Sequence, residues 1–134
     1  MQEFANIQSI RNAIFDLLSS VNMATEENTK LLDYIIELFN ENGLSSDYYG
    51  YHNIDHELEV TYVTLMSAIH LFNEKKFESD DVKYLFASAL LHDFDPQKAT
   101  DRPHEKSVID FINNDKEIQK LLHNANIDFN IICA

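Results

Sequence analysis

Tryptophan is absent from this chain of 134 residues, cysteine occurs once, and glycine and proline occur twice each. A single cysteine, Cys133, excludes an internal disulfide framework and fits a reducing compartment. So few turn-forming residues leave little room for the frequent reversals of a β-rich protein, and they point to helices. Cations are scarce too: 10 Lys+Arg face 23 Asp+Glu, a formal net charge of −13 and a pI near 4.6. Such a surface repels DNA, RNA and anionic lipid, which excludes binding of these partners by a basic face. No apolar run reaches the length needed to cross a bilayer, and the N-terminus lacks the basic, apolar and small-residue segments of a signal peptide. A cytoplasmic location is therefore expected.

What remains is a composition with 45% hydrophobic and 25% charged residues, suited to one globular domain with a real core. Helical periodicity runs through most of it. Phe4, Ile7, Ile14, Leu17, Leu18 and Val21 recur at three- and four-residue steps, the apolar stripe of a first helix. Thr25 followed by Glu26 and Glu27 reads as an N-cap with acids in the first turn, where the helix dipole favours them. A second stripe, Leu31, Leu32, Ile35, Ile36, Leu38 and Phe39, ends near Gly43, placed as a C-terminal cap. A third helix is expected from about Ile54 to Asn73. The fourth is capped by Ser79-Asp80-Asp81 and apolar nearly all round, hence buried. A fifth spans His104 to Asn113 and a short sixth Lys116 to His123. The segment from Asn126 to Ile132 reads as a cap and the start of one more apolar helix. Because helices in globular proteins average three to four turns, the chain is expected to be a fragment lacking C-terminal helices. The expected architecture is an all-α bundle of five to six helices.

Six histidines in so short a chain call for an explanation. Four stand in three groups: Tyr51-His52-Asn53-Ile54-Asp55-His56, Leu90-Leu91-His92-Asp93, and Arg102-Pro103-His104-Glu105. His52 and His56, four apart, share one face of a helix. Imidazole and carboxylate are good ligands for divalent metals, and a hydrolytic metal site needs several such groups from different elements. A bare His-Asp doublet has little weight, since about 0.5 such pairs arise by chance at this composition. Its position is more informative, because an apolar helix ending in His92-Asp93 puts two polar groups at the edge of a core. The competing reading makes His92 a helix cap and Asp93 part of a turn with Pro96. His70 and His123 read as surface residues without a functional role.

The order Tyr51-His52-Asn53-x-x-His56, some 35 residues, then Leu90-Leu91-His92-Asp93 resembles the HD superfamily of metal-dependent phosphohydrolases. Within it, the Tyr-His-Asn-x-x-His signature is similar to that of cyclic-nucleotide phosphodiesterases. The resemblance covers roughly residues 48–112. It implies an HD-like helical domain over 1–134, a divalent metal ion such as Mn, Mg, Zn or Fe as cofactor, and His56, His92 and Asp93 as its ligands. It implies that His52 protonates the leaving oxygen, as its pKa range near neutrality allows. The family adds an aspartate from a later helix. Asp128 is the late acid beside an apolar segment here, yet it reads as an N-cap, so that aspartate is expected beyond Ala134. Phosphodiesterases also carry a histidine shortly after the doublet, where this chain has Phe94-Asp95-Pro96.

Charge is unevenly spread. Residues 1–67 carry 2 basic and 11 acidic side chains, and residues 68–134 carry 8 and 12. Lys98, Arg102 and Lys106 gather around the loop after the doublet, either as phosphate-recognising cations or as part of a solvated surface loop. His104 reads as a phosphate contact, a second-metal ligand or the cap of the fifth helix. Tyr48, Tyr49 and Tyr51 offer either a stacking wall for a base or loop packing. The expected function is metal-dependent hydrolysis of a small phosphoester, a nucleotide or cyclic nucleotide foremost. One alternative is a regulatory HD-type module that binds nucleotide or metal without turnover. Another is a helical interaction domain with incidental histidines.

Overall fold

The computed structural model describes residues 6–41, 53–92 and 105–133. Among these residues there are seven helices and no strand: α1 (Ile7–Ser20), α2 (Glu26–Glu41), α3 (Ile54–Asn73), α4 (Ser79–Leu91), α5 (Glu105–Asn114), α6 (Lys116–Asn124) and α7 (Phe129–Cys133). The described residues form an all-α bundle, as expected, and the apolar segment expected to begin one more helix forms the short α7.

Local chemistry accounts for the helix starts. Asn6 caps α1 by accepting from the Ser9 amide at 2.9 Å, and Thr25 caps α2 by accepting from the Asn28 amide at 3.1 Å. Asp115 caps α6, taking hydrogen bonds from the amides of Glu117 at 2.9 Å and Ile118 at 3.1 Å. The start of α4 differs from expectation. Its N-cap is Glu78, one residue earlier, whose amide donates to the Asp81 carboxylate at 2.8 Å. At the last segment, Asp128 accepts from the Asn130 amide at 2.9 Å, while Asn126 belongs to the end of α6 rather than to a cap.

The helix ends show how the chain manages with so little glycine. Asn22, Lys75 and Asn126 have φ of 60°, 64° and 59°, just past the C-caps of α1, α3 and α6. Each end repeats one pattern. The left-handed residue donates to a carbonyl three back (Ser19, Phe72, His123), and the next residue donates five back (Leu18, Leu71, Leu122). This is the Schellman closure, normally built on glycine, here built on asparagine and lysine. Gly43 lies outside the described residues.

The apolar stripes meet in one core. Ile10, Ile14 and Leu18 of α1, Leu31, Leu32, Ile35 and Phe39 of α2, and Leu58 and Leu65 of α3 join Phe86 and Leu90 of α4 and Ile118 and Leu122 of α6. The closest pairing is α3 with α4, followed by α3 with α1; α2 rests on α6, and α7 on α4. As expected, α4 is mostly buried, but Leu85 breaks the all-round apolar reading with 36% of its surface exposed. No described helix is long and apolar enough to cross a membrane.

Candidate metal centre

The close pairing of α3 and α4 brings the start of one helix to the end of the other. Asn53, the asparagine of the Tyr-His-Asn signature, is the N-cap of α3, and its side chain accepts from the His56 amide at 3.0 Å. The asparagine therefore fixes the backbone that carries His56. At the other side, α4 ends at Leu91 and His92 is its C-cap. The imidazole rings of His56 and His92 lie with centroids 5.9 Å apart at an interplanar angle of 58°. Residues 36 positions apart in the chain thus converge on one spot.

His92 is held from two directions. Its Nδ1 is 2.6 Å from the Ala89 carbonyl oxygen and 3.4 Å from Oε1 of Glu57. Both neighbours are acceptors, so Nδ1 carries the proton and Nε2 carries the lone pair in the neutral ring. Capping and ligation are consequently compatible, because they use different nitrogens. The reading of His92 as a helix cap is correct, and it leaves the ligand reading standing.

Glu57 is the residue that the histidine spacing does not reveal. It lies one position after His56 on the inward face of α3, with 1% of its surface exposed. A carboxylate removed from water costs several kcal/mol unless charge and hydrogen bonding offset it. The first turn of α3 supplies a favourable dipole, and the His92 imidazole, 3.4 Å away, pairs with the carboxylate electrostatically when protonated. A signal did exist in the sequence. Ile54, Leu58, Thr61 and Leu65 mark the buried stripe, and Glu57 falls on it beside Leu58, where a solvated glutamate has no place.

The donor chemistry fits a divalent ion in part. Metal–imidazole bonds of about 2.0–2.1 Å let one ion reach a nitrogen on each of two rings this far apart. Among the described residues, however, no group of three or more His, Cys, Asp or Glu side chains is arranged to hold a metal. Asp93, the expected third ligand, lies outside the described residues, as do His52, Lys98, Arg102, His104 and Tyr48, Tyr49 and Tyr51. Asp128 is placed elsewhere. Its amide accepts no role at the site but donates to the Tyr84 hydroxyl at 2.9 Å, two turns of α4 before His92, roughly 12 Å along the helix. His70 is exposed at the far end of α3, 3.5 Å from Glu74, and His123 is exposed on α6.

Comparison with family models, curated proteins and solved structures returned no match to this chain.

Proposed function

We propose that the junction of α3 and α4 is the metal site of a phosphohydrolase acting on a small phosphoester, with nucleotides or cyclic nucleotides as the leading substrate class. The observation that carries this reading is the convergence of His56 and His92, two imidazoles from the start of one helix and the end of another. The order of the motifs in the sequence, similar to that of HD-type phosphohydrolases, supports it. In this reading His56, His92 and Asp93 hold a divalent ion. When bound, such an ion supplies a water that is acidic near neutral pH and polarises the phosphoryl oxygen. His92 presents Nε2 because Nδ1 is engaged by the Ala89 carbonyl. His52 donates a proton to the leaving oxygen. Lys98, Arg102 and His104 bind the phosphate and orient it for in-line attack.

The test is metal analysis and hydrolysis of bis(p-nitrophenyl) phosphate and cyclic nucleotides by protein loaded with Mn, Zn or Fe. Turnover by the wild type, lost together with bound metal in His56→Ala and His92→Ala, is the expected outcome. Metal binding with nucleotide-dependent thermal stabilisation but no product assigns the chain to the regulatory class. Metal content and ligand binding unchanged when His56, His92 and Asp93 are all replaced by alanine defeats both.

A further inference from the structure

Glu57 combines three properties that a merely structural residue does not require. It carries a carboxyl group, it is almost fully buried at 1% exposure, and one carboxyl oxygen lies 3.4 Å from Nδ1 of His92, whose ring stands 5.9 Å from that of His56. A core position between Ile54 and Leu58 is filled more stably by an apolar side chain of similar volume, since an ion pair in the interior seldom exceeds its desolvation cost. Helix packing alone therefore does not account for a glutamate here.

We propose that Glu57 is a positioning residue for His92, forming a carboxylate–histidine pair that orients the imidazole and strengthens Nε2 as a ligand. The inference rests on the metal-site reading above and assigns a role to a residue outside the His56, His92 and Asp93 set. Its physical basis is direct. A histidine that ligates through one nitrogen is turned and made more basic by an acceptor at the other. The Ala89 carbonyl at 2.6 Å sets the tautomer, but it belongs to the same helix and moves with His92. Glu57 belongs to α3, the helix that carries His56. It thereby ties the ring of His92 to the backbone segment of the other imidazole, so that the two are held in mutual register. A carboxylate at this distance also adds electrostatic attraction for a cation bound by the ring.

The experiment is titration of the metal-free full chain with Zn²⁺ and Co²⁺, following affinity and the Co²⁺ visible spectrum, for wild type, Glu57→Gln, His92→Ala and the double variant. Glu57→Gln keeps the shape and removes the charge. Affinity lowered about 10- to 100-fold, with an altered Co²⁺ spectrum and a preserved helical circular dichroism signal, is expected. In the His92→Ala background, Glu57→Gln should have little further effect, because its action passes through that ring. Affinity within threefold of wild type, or an equal loss in both backgrounds, overturns the positioning role while leaving the metal site intact. Wild type that binds neither ion, or binds equally well without His92, overturns the metal reading and this inference with it. Should Glu57→Gln fail to fold, Glu57→Asp decides: a lowered Zn²⁺ affinity that disappears in the His92→Ala background upholds the pair, and an unchanged affinity refutes it.

Discussion

Lys75 and Glu57 are two residues in places their side chains disfavour, for opposite reasons. Lys75 holds a φ of 64°, a left-handed conformation that costs a residue with a Cβ roughly 1 kcal/mol or more relative to glycine. Nothing in its side chain compensates; it is exposed, and the position serves only to turn the chain out of α3. Lys75→Gly is accordingly expected to stabilise the protein by about 0.5–1 kcal/mol, raising the melting temperature by a few degrees. Thermal unfolding followed by circular dichroism checks this, and an unchanged or lowered midpoint contradicts it. Glu57 is the reverse case, a carboxyl group buried at a cost to stability beside the imidazole of the candidate ligand His92. A conformational liability with no chemical partner can be engineered away, whereas one beside a candidate ligand cannot be altered without touching the site.

At the scale of elements, the helices are locked together by polar ties at their exposed edges as well as by the core. Arg11 of α1 forms a two-pronged ion pair with Asp33 of α2, with Nε and Nη2 each 3.0 Å from a carboxylate oxygen, and the carboxylate holds the guanidinium pKa above its ordinary value. Lys83 of α4 donates to the Asn126 carbonyl at 2.8 Å, and the Tyr84 hydroxyl accepts from the Asp128 amide, so α4 grips the turn between α6 and α7. Tyr34 of α2 donates to the Asp115 carboxylate at 2.9 Å, joining α2 to the residue that caps α6. Partial burial, and then the hydrogen bond to Asp115, push the Tyr34 phenol well above its usual value of 10.0. The sign follows directly. Below pH about 10 the phenol is neutral in both folded and unfolded chains, and the bond contributes in full. Above that, the unfolded chain releases a proton that the folded protein retains, and stability falls as pH rises toward the folded value. Tyr34→Phe should therefore cost about 1 kcal/mol at pH 7 and show a shallower loss of stability than wild type above pH 10. Urea unfolding at pH 7 and 10.5 measures both, and parallel profiles for the two proteins refute the link.

For the whole molecule, the core sets the geometry of the candidate site. Phe86 is fully buried within α4, in the core that the α3–α4 pairing closes. Phe86→Ala removes a ring that no neighbour can replace and is expected to cost about 3–5 kcal/mol, a large share of the stability of a domain this size. The same substitution should weaken metal binding before the protein unfolds, because the 5.9 Å separation of the His56 and His92 rings depends on how tightly the two helices pack. Denaturant unfolding and Zn²⁺ titration of this variant test the two effects separately. A destabilised variant with undiminished affinity shows that the helix ends are held by local contacts alone.

Much of this architecture was legible from periodicity. The bounds of α3, the stripes of α1 and α2, and the caps Thr25 and Asp128 follow from steps of three and four residues and from side chains that satisfy neighbouring amides. Such interactions span at most one helical turn, so the local sequence contains both partners. The closures at Asn22, Lys75 and Asn126 were not legible, since neither lysine nor asparagine announces a left-handed turn as glycine does. At the site, the sequence by itself identified His56 and His92 as candidates through motif order, while their approach across 36 positions depends on how α3 meets α4. Glu57 shows the division most clearly. Its neighbours in the sequence placed it on an apolar stripe, but a buried carboxylate takes its meaning from the charge and donors around it. Only tertiary packing, by bringing the end of α4 over the first turn of α3, put the His92 imidazole there.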